Sequence, residues 1–89
     1  MRAVITVVGK DMIGIIAKVS TLLADQQVNI LDINQTTMQD IFTMMMLVDI
    51  SASEVPFSKL SDLLEEKGKE IGLSIRIQHE EIFNSMHRI

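Results

Sequence analysis

The residues with the clearest chemical potential are Gly9-Lys10-Asp11-Met12-Ile13-Gly14-Ile15, which join a β-branched run to a helical pattern. A helix start presents unpaired backbone N–H groups and the positive end of the helix dipole, so this turn suits an anion such as a carboxylate. Asp11 also suits a plain N-cap, and Gly9 and Gly14 suit turn geometry and close packing. The spacing and the downstream acidic residue are not those of a dinucleotide fingerprint. His79, Glu80, Glu81 and His87 are metal-ligand types without a tight spacing, so they read as a solvated helix and no metal is expected. Met44, Met45 and Met46 alternate in direction, which assigns Met44 and Met46 to a core and Met45 to the opposite face.

Composition narrows the chemistry further. The chain has no cysteine, which excludes a disulfide framework, Cys-ligated zinc and a thiol nucleophile. With two histidines and no acid–base pair at motif spacing, no catalytic residue, no cofactor and no enzymatic activity are expected. An acylphosphatase would share the strand and helix order derived below, but it needs an arginine in the first turn, and residues 9–15 contain none. Eight Lys and Arg against twelve Asp and Glu give a net charge of −4, which disfavours a polyanionic partner. Three Phe without Trp or Tyr leave no base-stacking platform, so no nucleic acid is expected. The longest apolar run, Met44 to Val48, is far too short to span a bilayer and the first residues show no signal-peptide pattern. No membrane partner and a cytoplasmic location are the expectation.

These residues must be positioned by one small domain, residues 1–89, because a chain of 89 residues holds a single hydrophobic core. Arg2 to Val8 is β-branched and apolar on both faces, as a covered central strand should be. Ile15, Val19, Leu22 and Leu23 then form the stripe of an amphipathic helix, with Lys18, Thr21 and Asp25 on its wet side. Val28 to Met38 reads as a strand whose alternation changes phase at Ile30-Leu31, as a β-bulge would cause. Gln39-Asp40 is hairpin length, and Phe42, Met44, Met46, Val48 and Ile50 line one face of the strand beyond it. Its other face is also mostly apolar, which predicts cover on both sides of the sheet. Pro56 opens a second helix with Phe57, Leu60, Leu63 and Leu64, ended by Gly68 or by Gly72. Leu73, Ile75 and Ile77 form a last strand, and Ile82, Phe83 and Met86 a short C-terminal helix.

Strand–helix–strand–strand–helix–strand is the ferredoxin-like order of the α+β class: a four-stranded antiparallel sheet with both helices on one face. Right-handed crossovers require the sheet order 4-1-3-2. The second strand is then an edge, consistent with its Asp32, Asn34, Gln35 and Thr36.

Residues 5–15 together with 28–36 and 42–46 resemble the ACT domain, a small ligand-sensing module of amino-acid metabolism, and most closely its short stand-alone members and the ACT halves of the glycine cleavage system's transcriptional repressor. The resemblance implies a non-catalytic regulatory protein, a homodimer or tetramer, that pairs through the second strand and first helix. A small ligand, typically an amino acid, would lie between Asp11, Met12, Ile13 and Gly14 of one subunit and Asn29, Ile30 and Leu31 of its neighbour. Backbone N–H groups of Ile13 and Gly14 suit a carboxylate, and Asp11 or the Asn29 side-chain oxygen suits an ammonium. Asn29 equally suits a turn leading into its strand. Serine-sensing dehydrogenases of the family carry histidine and asparagine where Gly9 and Asp11 stand here. An assembly module with a vestigial pocket is the alternative, and a regulated partner protein is implied by either.

Overall fold

In a computed structural model, which describes residues 1–10 and 13–86 with the side chains of Phe83, Ser85 and Met86 left aside, the chain folds as β1 (Arg2–Lys10), α1 (Ile15–Asp25), β2 (Asn29–Met38), β3 (Ile41–Asp49), α2 (Phe57–Glu70), β4 (Leu73–His79) and α3 (Glu80–Met86). The strands form one antiparallel sheet in the order β2-β3-β1-β4, the order that right-handed crossovers require. Both central strands, β1 and β3, are the most apolar two.

Alternation in the strands and the helix stripes meet in one core. Ala3, Ile5 and Val7 of β1, Met44, Met46 and Val48 of β3 and Leu73, Ile75 and Ile77 of β4 pack with Ile15, Val19 and Leu23 of α1 and Leu60 and Leu64 of α2. Both long helices therefore cover the same sheet face. The register slips between Ile30 and Asp32 in the β2–β3 ladder, which places the bulge at the phase change of the sequence. Gln39 closes the hairpin with φ 57°.

Three local expectations change. β1 continues through Gly9 and Lys10 and does not break at Gly9, which pairs with Leu73 of β4; a Cβ on it would lie 2.5 Å from Leu73 Cδ2, so that side chain would have to shift to admit one. α2 passes through Gly68 and ends before Gly72, whose φ of 78° supplies the left-handed stop. Gly68 serves packing: a Cβ on it would meet the Leu73 carbonyl at 2.8 Å and Ile75 Cγ1 at 2.9 Å. Pro56 is the N-cap residue of α2, one position before the first turn, and its carbonyl accepts from the Leu60 N–H at 2.9 Å.

On the other sheet face Val4, Thr6 and Val8 stand beside Leu47, Met45 and Thr43. Val4 is buried but lies outside the core cluster, and Val8 and Ile41 are exposed. Within the chain that face is only partly covered; α3 packs beside β1 and β4.

Candidate functional site

The first turn follows Lys10 and ends at Gly14, whose φ of 83° makes it the left-handed N-cap of α1. The N-cap is thus three residues beyond Asp11, which corrects that alternative for the aspartate. Asp11 and Met12 lie outside the described residues. The Gly14 carbonyl accepts from the Lys18 N–H at 2.9 Å, and no side chain caps the helix. The N–H groups of Ile15, Ile16 and Ala17 precede the first intrahelical donor and so point out of the helix start. Ile13 beside them is 98% exposed.

Asn29 opens β2 and is exposed, Ile30 is half-buried opposite Val48, and Leu31 sits in the bulge with 46% exposure. In one chain these two groups of residues are far apart. Asn29 registers with Asp49, and Asp49 with Arg2, whereas Lys10 registers with Ile41, and Ile41 with Met38. The nine residues of β1 span roughly 25 Å between those ends. The fold therefore brings Ile13 and Gly14 together, and Asn29, Ile30 and Leu31 together, but not the one group with the other.

Sequence reasoning missed exposed apolar residues beside each of the two groups. Ile13 and Ile16 at the start of α1 and Leu31 and Ile33 on the β2 edge are all at least 40% exposed. Ile16 falls off the helix stripe, which is the signal that marks it. Also unforeseen is a groove of about 510 Å³ between α1 and α2, lined by Ala17, Thr21, Leu22 and Ile71 with charged residues at its margin.

Several polar groups away from the first turn pair with one another. The N-terminal ammonium lies 3.4 Å from Asp49 Oδ1 and donates to the Ser51 hydroxyl oxygen. Hydrogen bonds from the Ser51 hydroxyl and from its backbone N–H, with the ammonium nearby, hold the Asp49 carboxyl below its usual range. Arg2 pairs with Glu80, and His79 stacks on Phe57 with centroids 3.9 Å apart. Among the described residues no three His, Asp or Glu side chains are placed to hold a metal ion, and His87 lies outside them. No helix among them is long and apolar enough to cross a membrane.

Comparison with known proteins agrees with the fold. The family model of the ACT domain matches residues 2–78. The chain is 60% identical over 89 residues to a UPF0237 protein of Clostridium acetobutylicum, covering all of both sequences. An ACT domain protein from Streptococcus pneumoniae superposes with a TM-score of 0.83 at 43% identity over 93% of each chain. A structure assigned as a glycine cleavage system transcriptional repressor superposes with a TM-score of 0.71 at 28% identity, over 86% of this chain and 44% of that one. ACT domains are regulatory modules that bind small molecules such as amino acids and often dimerise. With the family model matching residues 2–78 and a relative 60% identical along the whole chain, the chain belongs to the ACT domain family.

Proposed function

We propose that the protein is a non-catalytic regulatory module that binds an amino acid or similar small metabolite between the subunits of a homodimer. The observation that carries this reading is the separation of the two groups of residues within one chain. A two-fold pairing of β2 edges runs the strands antiparallel, so the Asn29 end of one chain meets the Met38 end of the other, and Met38 registers through Ile41 with Lys10, just before the first turn. The exposed Leu31 and Ile33 edge and Ile16 of α1 supply apolar surface for that contact.

Asp11, Met12, Ile13 and Gly14 of one chain then face Asn29, Ile30 and Leu31 of the other. N–H groups at the start of α1 receive the ligand carboxylate, and Asp11 or Asn29 accepts from its ammonium. A ligand held by both chains favours the arrangement in which both touch it, which is the differential contact that regulation requires. Gly9 offers the ligand no side chain where serine-sensing family members carry a histidine, so serine is not carried over as the effector. That same feature is the support for the alternative, an assembly module whose pocket has lapsed.

Thermal unfolding followed by circular dichroism, with each of the twenty amino acids in excess, tests the proposal. A ligand at ~100 times its Kd adds ~2.7 kcal/mol, and each kcal/mol raises Tm by ~4–8 °C in a domain of this size. The expected result is a rise with one or two amino acids that Asp11→Ala abolishes without changing the dimer mass. No shift with any amino acid, or an unaltered shift in Asp11→Ala, counts against it.

A further inference from the structure

The proposed site holds two kinds of group. Asp11, Asn29 and the N–H groups at the start of α1 serve the ammonium and carboxylate that every amino acid carries. The other side chains, Met12, Ile13, Ile30 and Leu31, are hydrocarbon or thioether and Gly14 has none, so they offer no strong hydrogen-bond partner to the side chain of a ligand. Ile13 is 98% exposed and Leu31 46%, which leaves bare apolar surface in each of the two groups.

Strand alternation carries most of the neighbouring polar residues away from α1. Val7 belongs to the core under the helices, so Gly9 shares that face and supplies no side chain, while Lys10 falls on the opposite face with Ile41. On β2, Ile30 and Ile33 register with Val48 and Met46 of the core, whereas Asp32 and Asn34 register with Leu47 and Met45 on the other face. Gln35 and Thr37 are the exceptions. Of these Thr37 shares a row with Phe42 and Gly9, two strand spacings, ~10 Å, from Gly9.

We propose that the effector has an aliphatic side chain, seated between Ile13 of one chain and Leu31 of the partner subunit, a narrowing of ligand class that rests on the homodimeric sensor. A ligand hydroxyl or amide in that position gives up its water without gaining a partner, whereas a hydrocarbon side chain covers Ile13 and Leu31. Apolar sites discriminate against a polar isostere by up to ~100-fold.

Calorimetric titration of the full chain with matched pairs tests this: valine against threonine, and leucine against asparagine. Within a pair the side chains are close in size and the ammonium and carboxylate are the same, so the ratio of Kd values reads side-chain polarity. The aliphatic member is expected to bind tighter in each pair, by ~10–100-fold in the better one. Ile13→Ser, at an exposed position, is expected to cut that preference ~10-fold while the sedimentation mass stays that of the dimer. A polar amino acid that binds as tightly as valine and leucine overturns the aliphatic class, turns attention to Thr37 and leaves the sensor standing. No binding by any of the twenty amino acids removes the sensor and this ligand class together. A wild-type preference retained in Ile13→Ser, or a loss of dimer mass in that variant, assigns Ile13 to another role and also overturns the proposal.

Discussion

At the scale of single residues, Asp49 shows a polar side chain that serves structure. Ser51 and the N-terminal ammonium stabilise its charged form, so its carboxyl titrates below its usual range in the folded protein. A depressed folded pKa means that the contribution is fully present above the ordinary carboxylate range and is lost as pH falls through the folded value. Asp49→Asn should therefore be less stable than the wild type at neutral pH, and the gap should close in acid, as Tm measured by circular dichroism across pH will record. A gap of constant size would assign the loss to packing. The candidate site was legible at this scale as residue types at a turn, because Gly14 and Asn29 punctuate apolar runs. The exposure of Ile13 was not legible, since a hydrophobic residue beside a helix start looks the same in sequence whether it is covered or bare.

At the scale of elements, the periodicities of 2 and 3.6 located each strand and helix, and the Ile30-Leu31 pair located the bulge. What they did not locate was the end of α2. Gly68 and Gly72 are both glycine, and only the approach of β4 separates a packing glycine from a left-handed stop. A Cβ at Gly68 has no room against the Leu73 carbonyl and Ile75. Gly68→Ala should thus destabilise by about 1–3 kcal/mol, although alanine is the better helix former by about 1 kcal/mol. Thermal melts decide the sign, and a stabilised variant would show that β4 gives way. Gly9 differs, because the atom a Cβ would meet there is the end of the Leu73 side chain, which can shift, and not backbone.

At the scale of the whole molecule, a small core and two apolar surfaces left partly bare, the β2 edge and the open sheet face, point to stability that depends on association. Tm should rise with protein concentration over a hundredfold range, and Ile33→Glu should flatten that rise; a Tm independent of concentration in the wild type would mean that the lone chain accounts for its own stability. By itself, the sequence determined the element order, the core stripes, the central and edge strands and the turn that carries the candidate site. These follow from local periodicity and chain connectivity, which any one segment displays. Tertiary structure alone decided that residues 13–14 and 29–31 stand at opposite ends of the sheet, that β4 crowds Gly68, and that Asp32 and Asn34 fall on the sheet face away from α1. Those relations arise between segments distant in sequence, through strand register and the direction in which side chains leave the sheet, and no single segment contains them.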